Sequence, residues 1–174
     1  MTPPGARDLG LHDCGHKARI MEYKLFVFDL DETLWSVSEG LCSLVLPPFQ
    51  IPRPDRIEND RGFWVELKPG VRRLFEFLKA KGRYISIASR NDPGPTMDLL
   101  DALQLSRHLD FPQLAWRPKT DSIRRIIREI KKRDKVTIKP QEVFFLDDWP
   151  ENVAPVRSWG AAALIFGQDV ESYD

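Results

Sequence analysis

The chain has 174 residues, in which 26 lysines and arginines balance 26 aspartates and glutamates, and 42% of the residues are hydrophobic. This composition is typical of a globular protein with one core, and the balanced charge excludes a general attraction to nucleic acid or acidic lipid. The sequence lacks the roughly 18-residue apolar run of a membrane helix and the layout of a signal peptide, and two cysteines are too few for a disulfide framework. We therefore expect a cytoplasmic protein.

The domain organisation follows from local composition. Residues 1–20 mix proline, glycine and charge without periodicity, so we expect a disordered extension followed by a single domain over residues 21–174. Residues 41–68 contain four prolines, then a turn, then an apolar run at 63–67. This pattern predicts a loop followed by one hairpin strand, which together form a small flap rather than a second domain.

Strand and helix signals alternate along the rest of the chain. Short apolar runs predict strands at 24–28, 84–88, 143–146 and 162–166, and an extended piece at 113–116. Apolar periodicity predicts one helix between Gly70 and Gly82, and others at 96–105, from Lys119 onward, and at 151–159. Such alternation predicts a three-layer, Rossmann-like α/β fold with a parallel sheet between helices.

Polar side chains follow three of the predicted strands, and a lysine opens one of the helices: Asp29 and Asp31, Ser89 and Arg90, Asp147 and Asp148, and Lys119. Ligands of open parallel sheets bind beyond the carboxyl ends of the strands, where these groups are expected to meet. Carboxylates without histidine or cysteine suit Mg²⁺ rather than zinc. A cation and a lysine among carboxylates would also allow a carboxylate to approach a phosphate dianion, so the cluster favours phosphoryl transfer.

The same residues resemble the four motifs of the haloacid-dehalogenase superfamily, which here are residues 29–35, Ser89, Lys119 and residues 144–148. The resemblance runs from about residue 24 to residue 166. Within the superfamily, the short proline-rich insert, residues 87–90 and the Asp147–Asp148 pair look most like the magnesium-dependent phosphatases that lack a cap domain. The resemblance implies a Mg²⁺-dependent phosphate monoester hydrolase, with a flap in place of a cap.

Residue roles are also implied by the resemblance. Asp29 would be the nucleophile that forms an aspartyl-phosphate, and Asp31 would be the general acid and base. Thr33 would hold the loop that carries both carboxylates. Ser89 would bind a phosphoryl oxygen, and Lys119 would neutralise Asp29 and the phosphate.

The metal and phosphate ligands are implied in the same way. Asp29, the backbone carbonyl of Asp31 and one carboxylate of the Asp147–Asp148 pair would hold the metal, while the other member of the pair would support Lys119. We favour Asp148 as the ligand. The backbone amides of Leu30 and Arg90 are further candidate phosphate donors, because loops after strands commonly bind anions.

The substrate remains open at this point. An uncapped site admits a phosphate on a large partner as well as a small molecule, and the resemblance suggests phosphotyrosine or phosphosugar. One alternative is a phosphatase for nucleic-acid 3′ ends, which the basic run over residues 124–135 would favour, although that run also fits a solvated helix face. An alternative of another class is a phosphoacceptor signalling domain. Trp35 and Trp149, close to the motifs, are expected to pack in the core.

Overall fold

The computed structural model describes residues 22–173, so the extension expected at residues 1–20 lies outside the described residues. In chain order the strands are β1 (Leu25–Phe28), β2 (Trp35–Val37), β3 (Phe49–Arg53), β4 (Arg56–Asn59), β5 (Trp64–Leu67), β6 (Tyr84–Ser89), β7 (Gln113–Leu114), β8 (Val143–Asp147) and β9 (Ala162–Ile165). The helices are α1 (Val71–Ala80), α2 (Pro93–Ala102), α3 (Lys119–Asp134) and α4 (Pro150–Ser158). Within residues 22–173, no helix combines the length and apolar character that a membrane crossing requires.

Five parallel strands form the central sheet in the order β7-β6-β1-β8-β9. Successive side chains of a strand point to opposite faces of a sheet, and β1 shows the result. Phe26 and Phe28 join one buried cluster, whereas Leu25 and Val27 join another. All four are buried, as expected of a central strand that is covered on both faces.

Helices cover both faces of this sheet. The first buried cluster contains the apolar stripe of α1 and the inner residues of α2, and the second contains Ile123, Ile126 and Ile130 of α3 with Val153 and Val156 of α4. The stripe of α3 recurs at intervals of three and four residues, which places it on one side of a helix. The predicted three-layer α/β fold is therefore confirmed.

Outside the flap and β2, the predicted element bounds agree closely with the structure except at α2. The sequence predicted a helix at 96–105, but α2 begins at Pro93 and ends at Ala102. Proline is favoured in the first helical turn, since its missing N–H would have no partner there. Pro93 and Pro95 therefore belong to the helix, whereas the predicted helix began after them, at residue 96.

The flap contains more strands than predicted. Instead of a loop and one hairpin strand, residues 41–68 contain β3, β4 and β5, which join β2 in an antiparallel sheet of order β2-β5-β4-β3. Pro52 obscured this arrangement because proline removes a backbone donor from a strand. The residue lies in β3, which is the edge strand of this sheet, and an edge position tolerates the missing donor.

Candidate active site

The ends of three adjacent strands bring the polar motif residues together. Strands β6, β1 and β8 lie side by side, so Ser89, Asp29 and Asp147 emerge at the same edge of the sheet. The backbone N–H of Asp29 donates to the carbonyl of Leu146 at 2.9 Å, which extends the β1–β8 pairing to the first aspartate. The sequence prediction that these groups share one edge is confirmed.

Lys119 reaches this edge from the first turn of α3. Its ammonium Nζ lies 2.5 Å from Asp29 Oδ1 and 3.1 Å from Asp147 Oδ2, and it donates to the carbonyl of Ala88 at 2.7 Å. Only 4% of the residue is exposed. A buried ammonium needs such partners because its desolvation is costly, so Lys119 is fixed as the cation between two carboxylates.

The groups around Asp29 have opposing effects on the pKa of its carboxyl group. Burial raises the pKa of Asp29 from 3.8 to about 6, because an apolar environment disfavours the charged form. The nearby Lys119 charge lowers this pKa, and the Asp147 charge raises it. Asp29 is thus a carboxylate whose negative charge is incompletely compensated by the protein alone.

Asp29, Asp147 and Asp148 each offer an oxygen within 4.8 Å of the others. Three oxygen donors with no histidine or cysteine in the group fit a hard cation such as Mg²⁺. Burial, and then the charge of Asp147, raises the pKa of Asp148. A bound cation would relieve the repulsion among the three carboxylates, so the chemistry of the donor set fits the metal that the sequence implied.

The two adjacent aspartates differ in their surroundings. Asp147 is fully buried, pairs with Lys119, and accepts hydrogen bonds from the backbone N–H of Trp149 and from Asn152 Nδ2 at 2.9 and 3.0 Å. Asp148 is only half-buried, and its backbone N–H donates to Thr33 Oγ1 at 3.0 Å. The carboxylate of Asp148 therefore has fewer hydrogen-bond and ion-pair partners than that of Asp147.

Three donors hold the carboxylate of Asp31. Trp35 Nε1 donates to Oδ1 at 2.7 Å, while the backbone N–H of Cys42 and Asn91 Nδ2 donate to Oδ2 at 3.3 and 2.9 Å. Trp35 is fully buried, as the sequence analysis expected. Because the three donors come from β2, the flap and the loop after β6, the position of Asp31 depends on three separate segments.

Asn91 is a site residue that the sequence analysis missed. It is 2% exposed, and its amide nitrogen also donates to Ser89 Oγ at 3.1 Å, so one side chain joins Ser89 to Asp31. Among the described residues, its Oδ1 has no hydrogen-bond partner. Its position two residues after Ser89 was the only signal, and an asparagine after a strand usually indicates a turn.

The loop after β1 is fixed by its own backbone and by the C-terminal segment. The carbonyl of Leu30 accepts the N–H groups of Thr33 and Leu34 at 3.1 and 2.8 Å, which closes a tight turn. The hydroxyl of Tyr173 donates to the carbonyl of Thr33 at 2.8 Å. Burial, with the nearby charges of Asp29 and Asp148, raises the pKa of Tyr173, so the phenol keeps its donor proton.

Other predicted residues lie at the rim. Arg90 is exposed, and its Nε donates to the carbonyl of Arg117 at 3.4 Å. Trp149 is 61% exposed, so the expectation that it packs in the core is wrong. The residue follows Asp148 directly, where the chain has left the buried strand and α4 has not yet covered it. Trp116, after β7, is 67% exposed in the same way.

The comparisons with known proteins agree with this geometry. The family model described as Acid Phosphatase matches residues 22–168, which is most of the chain. The chain belongs to this acid phosphatase family. It is a phosphatase of the haloacid-dehalogenase type, as its four motifs indicated. A search of curated proteins gives no significant match.

Solved structures share the fold of this chain. A haloacid-dehalogenase-superfamily hydrolase from Ehrlichia chaffeensis is 13% identical, with 87% of this chain and 92% of that one covered and a TM-score of 0.62. The N-terminal part of a Bacteroides fragilis protein, with a phosphatase domain complexed with Mg, is 20% identical, with a TM-score of 0.57. That match covers 87% of this chain but only 39% of the other.

A third structure with the same fold holds ligands. A haloacid-dehalogenase-family enzyme from Bacteroides thetaiotaomicron, in complex with magnesium and inorganic phosphate, is 13% identical, and the match covers 82% of this chain and 93% of that one. Its TM-score is 0.54. At these identities the likeness establishes the fold alone.

Proposed function

We propose that the protein hydrolyses phosphate monoesters with Mg²⁺ as cofactor and through an aspartyl-phosphate on Asp29. The observation that carries this proposal is the position of Lys119 Nζ between Asp29 and Asp147, with a third carboxylate, Asp148, in the same group. Buried carboxylates held by one lysine can accept both a divalent cation and a phosphate, because each charge compensates the next.

Three groups would hold the metal: the carboxylates of Asp29 and Asp148 and the backbone carbonyl of Asp31. Asp147 is the weaker candidate because Lys119 and Asn152 already use both of its oxygens. When bound, Mg²⁺ would supply positive charge that lets an anionic nucleophile approach an anionic phosphate. The magnesium in two of the structures with this fold supports the choice of metal.

In the first half of the reaction, a carboxylate oxygen of Asp29 attacks the phosphorus and the bond from phosphorus to the ester oxygen breaks. Asp31 donates a proton to that oxygen as the alcohol leaves. In the second half, water attacks the phosphorus of the aspartyl-phosphate while Asp31 takes a proton from the water. Inorganic phosphate leaves, and Asp29 is restored as a carboxylate.

Phosphate oxygens would be held by residues around Asp29. Lys119 compensates their charge from the buried side, and Ser89 offers its hydroxyl proton, since its Oγ already accepts a hydrogen bond from Asn91. The backbone amides of Leu30 and Arg90 complete the proposed set. Thr33 supports this arrangement indirectly, because its Oγ1 accepts from the backbone of Asp148 and its carbonyl accepts from Tyr173.

The proposed substrate is a phosphate that projects from a large molecule, such as phosphotyrosine in a protein, or a phosphosugar. Exposed apolar side chains support contact with a large substrate, because two follow strands of the central sheet and the others lie in the flap: Trp116, Trp149, Leu41, Leu44, Leu46 and Ile51. Apolar groups are costly to leave in water, and several on one protein surface indicate an area that a binding partner covers.

Hydrolysis of p-nitrophenyl phosphate tests the nucleophile and the metal together. We would compare the wild type, Asp29→Asn and the exposed control Asp92→Asn, each with Mg²⁺ and with excess chelator. We expect turnover in the wild type and the control only when Mg²⁺ is present, and none in Asp29→Asn. Wild-type turnover by Asp29→Asn would exclude the aspartyl-phosphate. A stable phosphoenzyme without turnover would instead support a phosphoacceptor switch.

A further inference from the structure

An open cleft lies along α3, outside the group of carboxylates. It has a volume of about 690 Å³ and is bordered by four arginines and one aspartate: Arg117, Arg124, Arg125, Arg128 and Asp121. We call it the arginine cleft. Small-molecule sites in proteins usually have volumes of roughly 300–1,000 Å³, so the cleft has the size of a site for one small ligand.

The charge of the arginine cleft is not balanced by the protein. Arg124 pairs with Asp121 at 3.4 Å. Over residues 22–173, neither Arg117 nor Arg125 nor Arg128 forms an ion pair with a carboxylate. This excess is local, since the whole chain has equal numbers of acidic and basic residues. Guanidinium groups that share one cavity repel one another, and a bound anion would remove that repulsion.

The basic run divides into two halves with different surroundings. In the second half, Arg133 pairs with Asp110 at 2.9 Å and with Asp134 at 2.8 Å, so its charge is compensated. Lys131 and Lys132 do not border the arginine cleft. The arginines of this run that have no carboxylate partner in the described structure thus lie together at the arginine cleft, which fits a compact ligand better than the long backbone of a nucleic acid.

The positions of the arginines fit more than one phosphate group. Arg125 and Arg128 are three residues apart on α3 and Arg124 and Arg128 are four apart, so they are neighbours on the helix surface. Arg117 enters from the loop before α3. Arginines bind phosphate oxygens through paired N–H donors, and groups from two elements can hold adjacent phosphates.

The other residues that line the arginine cleft are apolar: Ile127, Ile138 and Trp159. Arg124 places its guanidinium 5.5 Å from the centroid of the Trp159 ring. Apolar side chains beside guanidinium groups suit a ligand with a ring system attached to phosphates. We propose that the arginine cleft binds a small ligand with two or more phosphate groups, of the nucleoside di- or triphosphate class.

Calorimetric titration with ATP and with tripolyphosphate tests this proposal, with chelator present at physiological ionic strength. The test variant is Arg125→Ala/Arg128→Ala. The matched control is Lys131→Ala/Lys132→Ala, which removes the same charge from exposed positions of the same helix outside the arginine cleft. Both variants should hydrolyse p-nitrophenyl phosphate as the wild type does if that activity is present, which also shows that they are folded.

We expect ATP to bind the wild type and to bind the arginine variant at least about tenfold more weakly, because charge-assisted hydrogen bonds are lost. The lysine variant should differ from the wild type by less than about twofold, since its charges lie outside the arginine cleft. Equal weakening in both variants would overturn the proposal and indicate general charge attraction. Unchanged binding in both would also overturn it, since it would place ATP at another site.

Two further results would contradict the assignment of the ligand class. Tripolyphosphate binding as tight as ATP binding would mean that the ring is not recognised. Tighter binding of a single-stranded oligonucleotide, with loss in both variants, would indicate a nucleic-acid surface along the whole of α3. Absence of ATP binding to the wild type would refute the site without any consequence for the proposed hydrolysis at Asp29.

Discussion

The buried Asp29 carboxyl should make the stability of the metal-free protein depend on pH. Burial raises its pKa from 3.8 to about 6. Since the folded-state pKa lies above that of the unfolded chain, the contribution to stability is complete below about pH 4 and is lost as the pH rises through about 6. The difference between about 6 and 3.8, at about 1.36 kcal/mol for each pKa unit, corresponds to about 3 kcal/mol.

The substitution Asp29→Asn isolates this contribution because asparagine has nearly the same shape and does not ionise. We would measure the free energy of unfolding by urea at several pH values between about 4 and 7.5, with chelator present. Relative to the wild type, Asp29→Asn should gain stability as the pH rises, and the change should approach 3 kcal/mol. Lys119 retains Asp147 as a partner in the variant, so its own charge stays compensated.

Mg²⁺ and a surface variant supply the controls. Bound Mg²⁺ favours the ionised carboxylate, so its addition should stabilise the wild type at neutral pH more than it stabilises Asp29→Asn. In Asp92→Asn the exposed charge is removed, and the difference from the wild type should vary much less with pH. If the difference between the wild type and Asp29→Asn stayed constant across this range, the argument from burial would be refuted.

Three other substitutions test the remaining contacts. Asn91→Ala should lower kcat/KM by roughly 10- to 100-fold, since two hydrogen bonds are lost, and an alkyl phosphate, which needs the proton from Asp31, should be affected more than p-nitrophenyl phosphate. An equal loss for both substrates would indicate a purely structural role for Asn91. Tyr173→Phe should lower the free energy of unfolding by about 1–2 kcal/mol in urea titration, because the buried carbonyl of Thr33 loses its donor, and unchanged stability would contradict this account. Asp148→Asn should abolish Mg²⁺ binding in calorimetric titration whereas Asp147→Asn should retain it, and the reverse result would exchange the two roles.

Hydrophobic pattern alone determined the architecture of the sheet. Residues 25–28 and 143–146 are apolar without interruption, and Ser86 is the one polar interruption of residues 84–88. Such short runs are typical of strands that are covered on both faces. Parallel strands place their carboxyl ends at one edge, so the sequence also predicted that Asp29, Ser89 and Asp147 would meet there. Both predictions rest on short-range periodicity, which a single sequence contains. They also rest on the general rule that strands joined through a helix lie parallel in one sheet.

Residue type was a poor guide where the position of a residue depends on how distant segments pack. Prolines in the flap suggested a loop, but Pro52 lies on the edge strand of a sheet, and a sequence does not show which strand is at an edge. In the same way, Trp149 was expected in the core because tryptophan is apolar, yet the structure leaves it 61% exposed. Burial depends on what packs above a residue, and that is set by distant parts of the chain.

The contacts within the candidate site are decided by tertiary structure. Lys119 and Asp29 are 90 residues apart, and their separation of 2.5 Å exists because α3 starts beside the end of β1. Asn91 joins Ser89 to Asp31 by one amide group, and its position near Ser89 in the sequence does not distinguish this role from that of a turn residue. Residue types and strand ends identify the chemistry that a chain can perform, whereas the packing of separate segments fixes which atoms touch and which charges remain unbalanced.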